Sequence, residues 1–324
     1  MTVRVLVVLV VLVVLVCGSS GGRVLADQGL EPGGGQASLR SPGPSDAGVQ
    51  VFHVKRNVYM LVGAGANVAV QVGNEGVLVV DPGLAPTSGA VLDAIRTISD
   101  KPIRWIVNTH FHPDHAGANE AISTAGSTAG GAAAPIAAHE NVLAAMTRAD
   151  VPYDGRPLNT FFGESKDFSF NDEAVILYHV PEAHTDGDSI VFFRSSDVLV
   201  AGDLFVTTTY PVLDLENGGG IQGVIDGLNR LLELAVPNHQ QEGGTYIIPG
   251  HGRVCDEADL LEYRDMVVIV RDRIQHLIDE GRTLDEVQAA RPTLDYDGWH
   301  GGQSDLWTPA MFVEAVYRDL SARN

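Results

Sequence analysis

Three histidines and an aspartate fall within six positions of one segment, Thr-His-Phe-His-Pro-Asp-His at residues 109–115. Imidazole nitrogens combined with a carboxylate are ligands that zinc prefers in proteins, and iron or manganese can also take them. The segment follows an apolar run at 103–108 that predicts a β-strand. Because residues two apart in a strand point the same way, His110 and His112 are expected to converge on one ion.

The chain is expected to turn into a helix after the second of these histidines. Pro113 suits the first turn of a helix, where its missing N–H costs nothing. That turn would carry Asp114 and His115 towards a second point near the first. The alternative is a histidine-rich surface turn, but with 11 histidines in 324 residues this spacing seldom arises by chance.

Further candidate ligands follow other predicted strands, where an α/β fold places its chemistry. They are His184 in Ala-His-Thr-Asp-Gly-Asp, Asp203 in Ala-Gly-Asp-Leu-Phe, and His251 in Pro-Gly-His-Gly. A single histidine in a loop is more often structural than functional. Taken together with residues 109–115, however, these three residues supply the additional ligands that a two-metal site needs.

The elements that must position these residues alternate along the chain. Strands are predicted at 51–54, 58–62, 67–72, 76–80, 103–108, 135–138, 174–180, 188–193, 198–201 and 245–248. Helices are predicted at 91–98, 116–122, 140–148, 221–234, 260–277, 284–290 and 309–320. Residues 151–170 lack a clear period and are a candidate lid or substrate-facing loop. Two β-halves with helices outside them predict a four-layer αββα sandwich and a single domain, 49–324.

The N-terminal part of the chain has the pattern of a targeting segment. A positively charged start and an apolar run at 5–16 are typical of a signal peptide, with cleavage expected after residue 26. We therefore expect a signal peptide at 1–26 and a periplasmic or secreted protein. A lipid anchor at Cys17 is the alternative. Residues 27–48 are rich in Gly, Pro and Ser and predict a disordered linker.

The composition describes a folded, acidic protein. Hydrophobic residues make up 45% of the chain, and its net charge of −20 argues against nucleic acid or anionic lipid as a partner. A small molecule is therefore the expected substrate. Of the two cysteines, only Cys255 would remain after signal cleavage, so no internal disulfide is expected. Its side chain is either a small buried group or, alternatively, a metal-binding thiolate.

The motifs, taken in order, resemble those of the metallo-β-lactamase superfamily. The similarity covers about residues 49–254 and rests on Asp81 after a Val-rich strand, the 109–115 segment, His184 before Thr-Asp-Gly-Asp, Gly202-Asp203, and Pro-Gly-His251-Gly. The resemblance implies an αββα sandwich with metals at one edge between the two sheets.

The resemblance also implies a role for each of these residues. His110, His112 and His184 would bind a first metal; Asp114, His115 and His251 would bind a second; Asp203 would bridge the two; and Asp81 would hold the ligand loop by hydrogen bonds. Asp114 would in addition orient the nucleophile or pass on a proton. The remaining histidines His53, His139 and His179 have no place in this pattern and are interpreted as structural.

The implied activity is metal-dependent hydrolysis of an ester, thioester, lactone or amide-type bond. A hydroxide between two metal ions, most simply two Zn²⁺ with iron or manganese as alternatives, would be the nucleophile. Asp203 stands where β-lactamases with a zinc-binding cysteine have that cysteine. The chain therefore resembles thioesterases, lactonases, arylsulfatases and phosphodiesterases more closely. The alternatives are a β-lactamase, a single-iron sulfur dioxygenase, and a non-catalytic metal-binding protein of the same fold.

Three residues near the ligands are candidates for contact with the substrate. Tyr210 and Asp214 lie in the loop that follows the bridging aspartate, and Arg253 follows the last histidine. Arg253 could hold a substrate carboxylate through paired hydrogen bonds. A salt bridge from Arg253 to Asp256 or Glu257 is the alternative.

Overall fold

Residues 48–301 and 307–322 are described in the computed structural model of this chain. They fall within one unit of the chain, Arg40–Asn324. The expected signal peptide and, apart from its last residue, the expected linker lie outside the described residues. Among those that are described, no helix is both long enough and apolar enough to cross a membrane.

Two mixed β-sheets form the centre of the molecule. The strands of the first sheet are β1 (Gln50–Lys55), β2 (Val58–Ala64), β3 (Ala66–Val72), β4 (Val77–Val80), β5 (Ile103–Val107), β6 (Ile136–His139) and β7 (Asn159–Phe161). Those of the second sheet are β8 (Ser165–Phe170), β9 (Glu173–Val180), β10 (Asp188–Phe193), β11 (Val198–Gly202) and β12 (Tyr246–Pro249). The spatial order follows the chain order in the first sheet and is β12-β11-β10-β9-β8 in the second.

Helices cover the outer face of each sheet. They are α1 (Ser88–Ile98), α2 (Pro113–Ala116), α3 (Asn119–Ala125), α4 (Glu140–Arg148), α5 (Ile221–Leu234), α6 (Glu257–Asp279), α7 (Leu284–Ala290), α8 (Asp297–His300) and α9 (Pro309–Ala322). Buried side chains of α1 and α3 pack on the first sheet, and those of α5, α6 and α9 pack on the second. This arrangement confirms the predicted αββα sandwich.

The inner faces of the two sheets meet in one apolar core. Leu78 and Val80 of β4 lie in this core, opposite Val191 and Phe193 of β10. Their neighbours Val77 and Val79 point the other way, towards α1 and α3. The run of valines in β4 is therefore continuous because both faces of this strand are buried.

Two pairs of parallel strands bring the loops of interest to one edge. β4 runs parallel to β5 in the first sheet, and β11 runs parallel to β12 in the second. The loops that follow these four strands therefore start from the same ends of their sheets. Backbone hydrogen bonds join the two sheets there: Asn67 donates to Gly250 O at 2.8 Å, and Ser189 donates to Thr109 O at 2.9 Å.

Several predicted elements differ from those observed. The predicted helix 116–122 is two short helices, α2 and α3, with the break at Gly117–Ala118. The prediction of a structureless lid at 151–170 was wrong, because β7 and β8 lie within it and pair with β6 and β9. β5 ends at Val107, so the two histidines that follow it lie in a loop rather than in a strand.

Candidate metal centre

Asp81 organises the loop that carries the 109–115 motif. It follows β4 directly in a left-handed backbone conformation, with φ of 56°. Its carboxylate accepts hydrogen bonds from the Thr109 N–H at 2.8 Å, the Thr109 hydroxyl at 2.6 Å and His115 Nδ1 at 2.8 Å. Since His115 is held by Asp81 through Nδ1, its Nε2 is the nitrogen that faces the centre.

His110, His112 and His184 form the first group of ligand atoms. Their ligand nitrogens lie within 4.8 Å of one another, and His184 Nε2 is 2.8 Å from His112 Nδ1. Each of the last two rings is held by its other nitrogen: His112 Nε2 donates to Asp214 at 3.0 Å, and His184 Nδ1 donates to Val212 O at 2.8 Å. These outer hydrogen bonds fix the tautomer that presents a free nitrogen to a metal.

Asp114, His115 and His251 form the second group. Their ligand atoms also lie within 4.8 Å of one another. His251 Nε2 is 3.2 Å from Asp114 Oδ2, and His115 Nε2 is 3.8 Å from the same oxygen. Two imidazoles and a carboxylate are a ligand set that suits zinc.

Asp203 lies between the two groups at the end of β11. Its Oδ1 is 3.2 Å from His115 Nε2 and 3.5 Å from His251 Nε2, and its Oδ2 is 3.8 Å from His184 Nε2. One carboxylate oxygen therefore faces each group. Asp203 can take this place because residue 250 is a glycine. A side chain at Gly250 would overlap with Oδ1 of Asp203.

Burial and neighbouring charges divide the histidines of the centre into two kinds. Burial lowers the pKa of His110 well below its usual value and that of His184 to about 4, so both rings are neutral near pH 7. Burial also lowers the pKa of His115, but Asp203 and Asp81 outweigh this effect and raise it well above its usual value. Burial raises the pKa of Asp203, and the neighbouring histidines His251 and His115 bring it well below its usual range.

Buried polar atoms without a partner indicate that a cation fits here. Within the described part of the chain, His110 Nε2, His115 Nε2 and Asp203 Oδ1 are buried and make no hydrogen bond. Leaving such atoms unpaired is costly, and three of them converge on one place. The donor set and its orientation are those of a metal site.

The three candidate substrate-contacting residues have different surroundings. The prediction for Tyr210 needs correction, because its side chain is fully buried and its hydroxyl donates to Asp297 Oδ1 at 3.0 Å. Asp214 holds the His112 ring, as described above. Arg253 donates to Asp259 from both ends of its guanidinium, with Nη1 2.7 Å from Oδ2. Its partner is thus Asp259 rather than the two acidic residues considered from the sequence.

The other histidines and the cysteine lie apart from these groups. His53 bonds to Arg56 O at 2.7 Å, and the rings of His139 and His179 stack with centroids 3.5 Å apart. Cys255 is buried, and its Sγ donates to Arg253 O at 3.3 Å. None of these side chains belongs to the ligand groups found among the described residues.

Two pockets adjoin the centre, and the sequence analysis identified neither. One pocket, of about 700 Å³, borders Gly252 next to His251 and has a mixed lining in which aromatic side chains stand beside charged ones, among them Arg253, Asp259, Glu262 and Asp265. We call it the aromatic pocket; its apolar lining is Phe205, Tyr263, Met266, Tyr296 and Trp299. The other pocket, of about 350 Å³, borders Phe111 and Thr185, the chain neighbours of the first group of ligands.

Comparisons with known proteins agree with this geometry. The family model of the metallo-beta-lactamase superfamily matches residues 61–251. A linear primary-alkylsulfatase of a Pseudomonas species is 26% identical over 257 residues, which are 66% of this chain and 47% of the relative. The chain thus spans about half the length of this curated relative.

Solved structures share the fold at low sequence identity. The stereoselective inverting sec-alkylsulfatase Pisa1 from Pseudomonas sp. is 19% identical with a TM-score of 0.60, covering 83% of this chain and 50% of that one. A metallo-beta-lactamase from Pontibacter korlensis is 18% identical with a TM-score of 0.53, covering 68% of this chain and 98% of that one. At these identities the similarity shows the fold alone.

Proposed function

Because this chain belongs to the metallo-beta-lactamase superfamily, we propose that it is a hydrolase that uses two zinc ions to cleave an ester-type bond in a small molecule. The observation that carries the proposal is the position of Asp203, whose two oxygens face two separate groups of ligand atoms. A single tetrahedral ion would not use all seven of these side chains. A shared carboxylate between two cations is what a two-metal hydrolase requires.

Zinc bound by these residues would lower the pKa of a bound water, which would serve as the nucleophile. It would also supply positive charge for the developing oxyanion. The residues of this chain would set the geometry. His110, His112 and His184 would bind the first ion as neutral imidazoles, which would leave it its full positive charge. Asp114, which is only partly buried, is placed to accept a proton from the nucleophile at its carboxylate. His251 Nε2 lies 3.2 Å from that carboxylate, so the two side chains would share the second ion.

The aromatic pocket supports an apolar organic group in the substrate. Apolar clefts of several hundred cubic ångströms next to a cluster of polar groups are typical small-molecule sites. Trp299 on its wall is 83% exposed, so its ring is open to contact with a substrate. A neutral aliphatic or aromatic group beside the scissile bond would be desolvated there.

Sulfate esters are a second candidate substrate class. The support comes from the alkylsulfatase relative at 26% identity over 66% of this chain. This chain spans only about half the length of that relative. The activity of the relative is therefore a hypothesis for this protein. β-Lactam hydrolysis and iron-dependent sulfur oxidation remain alternatives that the same experiment addresses.

The test combines metal analysis with a matched substrate panel. Purified protein should contain two zinc ions per chain, and it should hydrolyse at least one member of a series with one leaving group: para-nitrophenyl acetate, thioacetate and sulfate, next to a lactone and a chromogenic cephalosporin. Loss of turnover after treatment with a chelator and its return with zinc should accompany this. One iron per chain, no zinc and no turnover of any of these substrates would refute the proposal.

A further inference from the structure

The smaller pocket beside the first group of ligands is lined by one cationic and two anionic side chains. We call it the Arg148 pocket; the residues that matter here are Phe111, Asn141, Arg148, Asp186 and Glu216. Arg148 lies at the C-terminal end of α4, and Glu216 lies in the loop that also carries Asp214. Within the described part of the chain, neither side chain forms an ion pair, with the other or with any third group.

Among the described arginines, Arg148 is one of several that form no ion pair with a carboxylate, and it is the one that lines this pocket. Most arginines in the described residues contact a carboxylate, as Arg96, Arg230 and Arg271 do at 3.1, 2.8 and 2.6 Å. Arg253, the other arginine near the centre, is held by Asp259. Arg148 is therefore the guanidinium near the metal groups that is left free to bind a ligand.

The remaining polar groups of the pocket are already satisfied. Asn141 donates to the Asp186 backbone oxygen at 3.0 Å and to its carboxylate at 2.8 Å. Thr185 donates to Asp188 at 2.8 Å. A ligand would thus find the exposed guanidinium of Arg148 and the exposed carboxylate of Glu216, next to the half-buried Asp186 carboxylate that Asn141 holds.

We propose that the Arg148 pocket binds a zwitterionic, amino-acid-like group of the substrate, with its carboxylate on Arg148 and its ammonium on Glu216. The inference rests on the proposed hydrolytic function and names the substrate class for the same site. A guanidinium binds a carboxylate through two parallel hydrogen bonds, and a free carboxylate is the natural partner of an ammonium. A volume of about 350 Å³ holds a group of that size.

The pocket lies next to the residues that would bind the reacting group. Phe111 separates His110 from His112 in the chain, and Thr185 follows His184 directly. A substrate anchored in the Arg148 pocket would lie beside Phe111 and Thr185, the chain neighbours of the first group of ligands. The alternative is that both charged side chains simply face solvent.

Three esters with one leaving group and one acyl length test the proposal. They are para-nitrophenyl hexanoate, the mono-para-nitrophenyl ester of adipate, and the ω-para-nitrophenyl ester of α-aminoadipate, which end in a methyl group, a carboxylate and a zwitterion. In the zinc-loaded wild type, kcat/KM for the zwitterionic ester should exceed that for hexanoate by on the order of tenfold or more, as charge-assisted hydrogen bonds allow. The adipate ester should fall between them.

The variants separate recognition from a general loss of activity. Arg148→Gln and Glu216→Gln should each abolish the preference for the zwitterionic ester while leaving hydrolysis of hexanoate within about twofold, and Arg148→Lys should restore part of it. Arg56→Gln is the matched control, because Arg56 lies just before β2 and does not line the Arg148 pocket. This variant removes the same charge and should keep the preference.

Two outcomes would overturn the inference: equal turnover of the hexanoate and zwitterionic esters by the wild type, or a preference that survives Arg148→Gln. An adipate ester that is as good as the zwitterionic one would refute the role of Glu216. If the wild type turns over none of the three esters, calorimetric binding of α-aminoadipate decides the inference, while metal analysis and the substrate panel decide the proposed function separately. Binding that is weakened by Arg148→Gln but not by Arg56→Gln would support it, and equal binding would refute it.

Discussion

The imidazoles of the centre differ in which ring nitrogen each leaves free. His115 and His184 are held through Nδ1 and present Nε2, whereas His112 is held through Nε2 and presents Nδ1. Each outer partner is a carboxylate or a backbone carbonyl, which are acceptors that also increase the basicity of the ligand. The proposed ligand set is thus oriented before any metal binds.

Asp203→Asn should reduce metal content at the second group first. The change removes the negative charge that Asp203 Oδ1 presents to His115 and His251, while the first group keeps its three imidazoles. We expect turnover to fall by orders of magnitude with the fold retained. Metal content and turnover are to be measured beside Asp272→Asn, which changes an exposed carboxylate on α6. Two bound ions and undiminished turnover in Asp203→Asn would contradict a bridging role.

Asp214→Asn should act on the first group through the His112 ring. It replaces the charged acceptor of His112 Nε2 by a neutral amide, so the zinc affinity of the first site should fall by about 10–100-fold. Competition with a fluorescent chelator measures this affinity, and Asp226→Asn on α5 is a suitable control. If the affinity is unchanged, the hydrogen bond at 3.0 Å contributes nothing to metal binding.

His139 should make the fold sensitive to acid. It is buried against His179, and burial lowers its pKa from 6.5 to about 4. The folded state therefore disfavours the charged ring, so stability falls as the pH drops below about 6.5, where the unfolded chain gains a proton that the native chain resists. His139→Asn keeps an acceptor for the Asn141 N–H and should lose less stability between about pH 7.5 and 4.5.

Urea unfolding of the wild type and of His139→Asn at about pH 7.5 and about pH 4.5 measures this loss of stability. His53→Asn, which alters an exposed histidine, should behave as the wild type does. An identical pH dependence in the wild type and in His139→Asn would show that the buried ring does not contribute.

A sequence pattern can indicate functional residues when they lie close together along the chain. The spacing of His110, His112 and His115 carries its own signal, because three ligand types within a few positions suggest a metal. The role of Asp214 could not be read in this way, since His112 lies 102 positions before it in the sequence. Tyr210 shows the opposite error: proximity to Asp203 in sequence suggested the site, but its ring packs against Phe312 in the core.

Most elements were predictable where one face of a helix or strand is buried. The helices 140–148, 221–234 and 284–290 coincide with α4, α5 and α7. The strand β8 was missed although Lys166, Phe168 and Phe170 alternate with more exposed residues. It is an edge strand whose outer positions are open, so its apolar signal is weak and a loop was preferred.

The turn after β12 should not tolerate a side chain at Gly250. A Cβ there would overlap with Asp203 Oδ1 and approach the Gly202 backbone. Gly250→Ala should therefore displace Asp203 and lower metal content and turnover more than thermal stability. Gly89→Ala is the matched control, because its added methyl group in α1 meets no atom within 4 Å. Normal metal content in Gly250→Ala would mean that Asp203 is not constrained from this side.

The C-terminal helices contribute to the molecule as a whole by supporting the loop after β11. The Tyr210 hydroxyl lies between two acceptors, Thr293 O at 3.1 Å and Asp297 Oδ1 of α8 at 3.0 Å, and donates its one proton to this pair. Tyr263 of α6 donates to Thr209 O at 3.4 Å. Tyr210→Phe should lower the free energy of unfolding by about 1 kcal/mol through the lost hydrogen bond. KM should stay within about twofold. A large rise in KM with unchanged stability would restore the original prediction of substrate contact.

The ligands come from both halves of the sandwich. The first sheet supplies the residues after β5, and the second supplies Asp203 after β11 and His251 after β12. Ions bound between them would cross-link the rims of the two sheets, so unfolding would have to release metal before the core could open. By mass action the apparent stability then rises with the logarithm of free zinc. The lifetime of the folded protein would therefore depend on the zinc concentration around it. Loss of zinc would both shorten that lifetime and stop catalysis.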